Sequence, residues 1–313
     1  TQTTRDYRQL GIGYANLGAL LMALGKGYDS EGGRSLAAAI TSLMTAAAYR
    51  RSAELAGVVG TYAGYGRNAD AHKRVMRKHR SANDSLEQAQ LNKLERICQK
   101  LALKPSDHLL EIGTGWGSMA LYAATHYGCR VTTTTLSQEQ FAYTQKRIEA
   151  QGLQERITLL LEDYRDLDGQ YDKLVSIEMI EAVGHRFLPT YFKHCAKLLK
   201  PHGLMLLQAI TIRDQRYEQA KNSVDFIQRY IFPGGALPSV SKMLEIVSRD
   251  TDMTLHHMVD FGQHYARTLR HWHDNLSAAR HKLEDLGYDE YFYRLWEFYL
   301  CYCEGGFIER SIG

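Results

Sequence analysis

Residues 110–117 read Leu-Glu-Ile-Gly-Thr-Gly-Trp-Gly, a spacing that could hold a cofactor. An apolar run (Leu109, Leu110, Ile112) enters the segment and a helix-like run (Met119, Ala120, Leu121, Ala123, Ala124) leaves it, which predicts strand, turn and helix. Gly113, Gly115 and Gly117 allow a sharp turn and a close ligand approach. Turns of this kind bind NAD, FAD or S-adenosylmethionine. The spacing G-x-G-x-G is one residue short of the dinucleotide pattern, and no basic residue lies nearby in sequence to meet a phosphate, so S-adenosylmethionine is favoured. Glu111, at the strand end, suits a cationic or hydroxyl-bearing ligand.

A second constellation is Ser-Ile-Glu-Met-Ile-Glu-Ala-Val-Gly-His, with Glu178 and Glu181 after an apolar run. Carboxylates three residues apart share a face if the chain turns helical there, and acids also suit a solvated helix start. Asp163 closes another apolar run, either as an acceptor for an adenine amino group or as a turn former. Aromatic residues crowd Gln228–Pro238, where Tyr230 and Phe232 could line an apolar pocket. They crowd again at Tyr291, Phe292, Tyr293, Trp296, Phe298, Tyr299 and Tyr302. That stripe reads as core or as the wall of a long apolar ligand. No metal is predicted, because the histidines and cysteines show no ligand spacing.

The elements that must position these residues follow from periodicity. Asn83-Asp84-Ser85 predicts a cap for a helix to about Ala102, with Leu91, Leu94, Ile97 and Leu101 on one face. A first strand is predicted after the turn Pro105-Ser106-Asp107, through the apolar run Leu109, Leu110 and Ile112, and further strands at 128–136, 156–161, 171–177 and 204–212, with helices between them, including 137–151 and 191–199, the latter stopped by Pro201. Such alternation predicts an α/β fold with a parallel, Rossmann-like sheet and helices on both faces. A helical insertion is expected at about 214–248, then a strand at Met253–Phe261 carrying His256 and His257 on opposite faces, then helices.

Residues 1–80 differ in character. They hold 14 Ala, 11 Gly and no Pro, which predicts helices with glycine-rich joints, Gly57, Gly60, Gly64 and Gly66 among them. One helix, Ser35–Tyr49, carries Leu36, Ile40, Leu43 and Met44 on one face. This segment has 12 Lys and Arg against 5 Asp and Glu, so +7 of the net +3 lies here and −4 in the rest. That charge suits anionic lipid or a solvated surface, and the total is too small to argue for nucleic acid. At 313 residues with 44% hydrophobic content the chain can bury a sizeable core. The five scattered cysteines read as buried thiols of a reducing cytoplasm. No secretory signal or bilayer-length apolar run is evident.

Six motifs then coincide in order: 111–117, Thr135–Gln140, Asp163–Asp166, Glu178–Gly184, Tyr230–Gly235 and Tyr265–Trp272. Together they resemble the cyclopropane-fatty-acyl-phospholipid synthases and mycolic acid cyclopropane synthases, class I S-adenosylmethionine-dependent methyltransferases of lipid acyl chains. The resemblance runs from about Ser85 to Gly313. It implies a methyltransferase domain at 81–313 that acts on unsaturated phospholipid acyl chains at the inner membrane surface of the cytoplasm, by peripheral contact, with a homodimer admitted. Gly113 and Gly115 would meet the cofactor's amino-acid end, Thr135 and Gln140 its ribose, and Asp163 and Tyr164 its adenine. Tyr230, Phe232 and Tyr265 would line the substrate pocket. A bound bicarbonate would take a proton from the carbocation, held by Glu181, Tyr299, the Ile210 amide and the residues at 208 and 114.

Gln208 stands where many members have His and Thr114 where many have Cys, so the product is a ring or a methyl or methylene branch. Other acceptors, soluble or apolar, stay open, as does a non-catalytic lipid- or cofactor-binding fragment. The family's upstream cofactor-covering motifs are absent from residues 1–80, which read as an unrelated module or a shifted frame. The last strand of the family's sheet is expected to be truncated.

Overall fold

Strand and helix alternate from residue 86 onward in the computed structural model, which describes residues 2–7, 13–81 and 85–313. The chain divides into two units, Thr1–Ala89 and Gln90–Gly313. The first holds α1 (Gln2–Tyr7), α2 (Leu17–Ala23), α3 (Glu31–Val59), α4 (Tyr65–Ser81) and the start of α5 (Leu86–Lys100). Ser30 caps α3 by accepting the Gly33 N–H at 3.0 Å. That helix runs past the predicted Tyr49 and takes Gly57 into its interior, while Gly60 and Gly64 fall in the joint. Leu43 is exposed, whereas Leu36, Ile40 and Met44 are half-buried. Among the described residues of this unit, Leu21 is the one large apolar side chain that is buried. Of the predicted α5 cap, residues 83 and 84 lie outside the described residues, and Ser85 Oγ accepts the Gln88 N–H at 3.1 Å. Leu91 sits at the rim of that helix, with Leu94, Ile97 and Leu101 buried.

The second unit is built on β1 (His108–Ile112), α6 (Ser118–Tyr127), β2 (Arg130–Thr134), α7 (Gln138–Ala150), β3 (Ile157–Leu160), β4 (Tyr171–Ile177), α8 (Leu188–Leu198) and β5 (Leu199–Gln208). The strands are parallel in the order β3-β2-β1-β4-β5. Alternate side chains of one strand enter opposite cores. Leu109 joins Met119, Ala123, Val131, Ile148 and Val175 on one face. Leu110 and Ile112 join Leu174, Tyr191, Leu198 and Ile246 on the other. The order reverses at β1, so the crevice beyond the carboxyl ends of β1 and β4 is where such a sheet takes a ligand.

Beyond β5 follow α9 (Asp214–Lys221), α10 (Phe226–Tyr230), α11 (Val240–Asp250), α12 (Gly262–Ala278), α13 (Arg280–Asp285) and α14 (Glu290–Ile308). The predicted strand Met253–Phe261 is instead irregular and mostly exposed. Its β-branched and apolar residues find no strand to pair with, and pairing rather than propensity decides a strand. β5 starts earlier than predicted and takes in Pro201. The register steps from Tyr171↔Leu199 to Lys173↔Leu204, so Pro201 lies in a bulge of an edge strand, a position that needs no ladder N–H. All five cysteines are free, but only Cys98, Cys129 and Cys195 are buried, and Cys301 is exposed.

Candidate active site

The glycine turn follows β1 directly. Gly113 (φ 98°), Gly115 (φ 53°) and Gly117 (φ 82°) all take the left-handed region that side chains avoid. The N–H groups of Gly113 and Thr114 both donate to Thr134 O, at 3.1 and 2.9 Å, which ties the turn to β2. A Cβ at Gly113 would lie 3.2 Å from Met179 and one at Gly117 2.6 Å from Thr144, whereas one at Gly115 would meet nothing within 4 Å. The backbone is thus packed at both ends of the turn and open in the middle, as a ligand cradle requires. Arg147 Nη1 donates to Trp116 O at 2.7 Å, so the fold does bring a basic residue to the turn, from 31 positions away.

Glu111 does not look out on the crevice. It pairs in register with Thr133, whose hydroxyl it accepts at 2.7 Å, and Thr133 shares a second 2.7 Å bond with the Thr114 hydroxyl. Only 2% of Glu111 is exposed, and burial pushes its carboxyl up to about 8 against the opposing Thr133 bond. Thr135 Oγ1 donates to Gln140 Oε1 at 2.8 Å beside the Ser137 cap of α7, which places both where β2 ends. Asp163 caps a short 3₁₀ turn and holds Arg165 through both oxygens, at 2.9 and 2.7 Å. The hydrogen bond from Arg165 keeps this carboxyl below its usual range. Tyr164 is half-buried, edge-on to Tyr191.

The other wall forms where β4 ends. Glu178 has φ 52°, an uncommon conformation for a residue with a side chain. Its N–H donates to Gln208 O at 2.8 Å. One carboxylate oxygen accepts from Gln208 Nε2 at 2.5 Å and the other from Tyr265 Oη at 2.7 Å. Glu181 follows in a 3₁₀ turn, and its Oε1 accepts the Ile210 N–H at 2.5 Å. Its Oε2 is buried with no hydrogen-bond partner. Burial raises the Glu181 carboxyl to about 7, with the Ile210 bond opposing and the charge of Glu178 adding to the rise. Burial lowers the Lys93 ammonium, which senses Glu178 from α5.

The structure therefore gathers Glu181, Ile210, Gln208, Tyr265 and Glu178. Glu178 lay outside the motif-implied set, although its spacing from Glu181 signalled a shared face. The tyrosine whose hydroxyl enters the network is Tyr265, not Tyr299. Tyr299 lines the site through its ring, 5.9 Å from Phe232 and 5.4 Å from Trp296, and burial raises its phenol. Thr114 turns to Thr133 instead. Tyr230 and Phe232 are each about half exposed (49% and 52%) at the outer edge. Phe226 links Tyr230 to Phe298 and Tyr302 on α14. Among the described residues no group of His, Cys, Asp or Glu is placed to hold a metal ion.

The Ile210 amide is bonded to Glu181, the Gln208 amide to Glu178, and the Thr114 hydroxyl to Thr133.

The family model for mycolic acid cyclopropane synthetase matches residues 77–313. The chain is 42% identical over 219 residues to the tuberculostearic acid methyltransferase of Mycobacterium tuberculosis, covering 70% of this chain and 51% of that protein. It is 40% identical over 229 residues to the cyclopropane-fatty-acyl-phospholipid synthase of Escherichia coli, covering 73% and 57%. It thus spans about half the length of these curated relatives. A crystal structure of a mycolic acid cyclopropane synthase complexed with SAH and CTAB superposes with a TM-score of 0.69 at 30% identity, covering 74% of this chain and 84% of that one. Over 82 residues, 26% of the chain, the sequence is 77% identical to the vitamin B12-dependent ribonucleotide reductase of Streptantibioticus cattleyicolor, 14% of that protein.

Proposed function

The chain belongs to the mycolic acid cyclopropane synthetase family, and on that premise we propose that it transfers the methyl group of S-adenosylmethionine to the double bond of an unsaturated phospholipid acyl chain. The observation that carries this reading is the pairing, across the β1–β4 crevice, of an open glycine cradle with a buried carboxylate that has one oxygen free. S-Adenosylmethionine, when bound, supplies an already activated methyl electrophile. The protein then has to position and to exclude water. Gly115 leaves room for the cofactor's amino-acid end, and the hydroxyl and amide of Thr135 and Gln140 stand ready for ribose oxygens. Glu178 and Glu181 place negative charge where a carbocation would develop, which lowers the cost of forming it. Tyr265 and Tyr299 supply apolar walls around that position.

Whether the product is a ring or a branch turns on how the cation loses its proton. The relatives include both a methyltransferase and a cyclopropane synthase by name. Docking at a bilayer surface accompanies the reading, since acyl chains reside there. Phe298, Tyr302, Tyr230 and Phe232 are each about half exposed, and Arg229 lies over the Tyr230 ring. Among the described residues no helix is long and apolar enough to cross a membrane. The stretch shared with a ribonucleotide reductase is read as the N-terminal one, which the family model leaves out. Such identity over 82 residues favours an unrelated module over a shifted frame.

Methyl-labelled S-adenosylmethionine incubated with vesicles of monounsaturated phospholipid tests the proposal. Label is expected in the acyl fraction. Its absence there, or equal labelling of fully saturated vesicles, contradicts it.

A further inference from the structure

The aromatic loop between α10 and α11 is tied to the turn that carries Glu181, and one side chain makes the tie. Asp225-Phe-Ile-Gln228 forms a capping box at the start of α10. Asp225 Oδ1 accepts the Gln228 N–H at 2.9 Å, and Gln228 Oε1 accepts the Asp225 N–H at 3.0 Å. The same side-chain amide donates through Nε2 to Gly235 O at 2.8 Å. One residue on, the Ala236 N–H donates to Glu181 O at 2.7 Å. A Cβ at Gly235 would lie 3.0 Å from Phe232 O and 4.0 Å from Glu181 O, so loop and turn meet backbone to backbone. Phe232, Pro233 and Gly234 at the crown are exposed. Ala236, Pro238 and Ser239 on the returning limb are buried, and Pro238 O accepts the Ile212 N–H at 3.0 Å.

Glu181 is thereby held from two directions. The Ile210 amide, on the continuation of β5, donates to its Oε1, and the loop donates to its main-chain carbonyl. A capping box uses only the acceptor oxygen of its third residue, which Glu would supply as well as Gln. The donor nitrogen of Gln228 goes instead to a carbonyl seven positions on. Phe232, whose ring centre lies 5.9 Å from that of Tyr299, belongs to the loop so bound.

We propose that Gln228 is a positioning residue that, through Gly235 and Ala236, fixes the main chain at Glu181 and so sets where that carboxylate stands relative to an acyl chain lying between Phe232 and Tyr299. This rests on the proposed methyl transfer to a double bond. Gln228 takes no part in the bonds made or broken. It keeps the pocket wall and the Glu181 turn at a fixed separation, and a misplacement of about 1 Å can cost about a hundredfold in rate.

Two variants of the intact chain test this. Gln228→Met keeps the length of the side chain and removes both of its hydrogen bonds. Asp225→Ala removes the side-chain acceptor of the cap and leaves the Gln228 amide on Gly235. The assay uses methyl-labelled S-adenosylmethionine and monounsaturated phospholipid vesicles. Gln228→Met is expected to lower kcat about tenfold or more, with calorimetric S-adenosylmethionine affinity kept within a factor of about two. Asp225→Ala should stay within about threefold of the native kcat. Equal losses in the two variants would make Gln228 a helix cap only and overturn the proposal. So would native kcat in Gln228→Met, or an affinity that falls in parallel with kcat. Absence of transfer by the native chain would remove the reaction reading and this one with it. Hydrogen exchange in the resting protein reads the tie without turnover. The Ala236 and Ile210 amides both donate to Glu181, so both should exchange about fivefold or more faster in Gln228→Met, and neither in Asp225→Ala. Unchanged protection of the two amides in Gln228→Met would overturn the proposal while leaving methyl transfer intact.

Discussion

Single residues in this chain show how burial redirects acid chemistry. Glu111 was legible from its place at a strand end, but not the direction it faces. That depends on Thr133, 22 residues on and paired with it only through the sheet register. Its folded pKa, about 8, lies above the unfolded carboxylate value of about 4.3. Between those two values the native state keeps a proton that the unfolded chain has released. Stability is therefore fully present below the lower value and falls as pH rises through the window, by on the order of a few kcal/mol. Glu111→Gln keeps the shape and removes the titration. Thermal melts of the native chain should fall from about pH 5 to 8 and those of the variant should stay flatter, and parallel curves would contradict this account. The bond between Tyr265 and Glu178 was illegible for the same reason. The two residues are 87 positions apart, and spacing carries no information on tertiary contacts.

Elements were the most legible scale where local pattern and packing agree. The five strands and the helices between them follow from apolar periodicity because both faces of the sheet are covered, and β4 matches its predicted bounds. Legibility failed where pairing overrides propensity, at Met253–Phe261, and where a bulge admits Pro201. The glycine turn is the element whose sequence demand is strictest. At Gly117 a methyl group would meet both a left-handed backbone and Thr144 Cγ2 at 2.6 Å. Gly117→Ala should destabilise by about 1–3 kcal/mol in denaturant unfolding. Adding Thr144→Ala should recover the contact part and not the backbone part. Full recovery would show that the strain is steric alone.

At the scale of the molecule, the two units have different interiors. The first buries one large apolar side chain among its described residues, while the second builds two cores on a sheet and a third between α12 and α14. Composition flagged the change of character near residue 80, and the family match begins at residue 77. The aromatic stripe of α14 divides into a buried side at Tyr293 and an exposed side at Phe298 and Tyr302. Replacing both exposed rings (Phe298→Ser with Tyr302→Ser) should weaken sedimentation with anionic vesicles several-fold and leave calorimetric S-adenosylmethionine binding unchanged. Equal loss of both would indicate misfolding instead of lost docking. The central claim is that the methyl carbon ends on the acyl chain at its former double bond. Mass spectrometry with fragmentation of monounsaturated phospholipid, after incubation with the chain and S-adenosylmethionine, tests it most directly. The predicted result is a gain of one CH₂ located at the double-bond position, and a gain on the headgroup, or none, would contradict it.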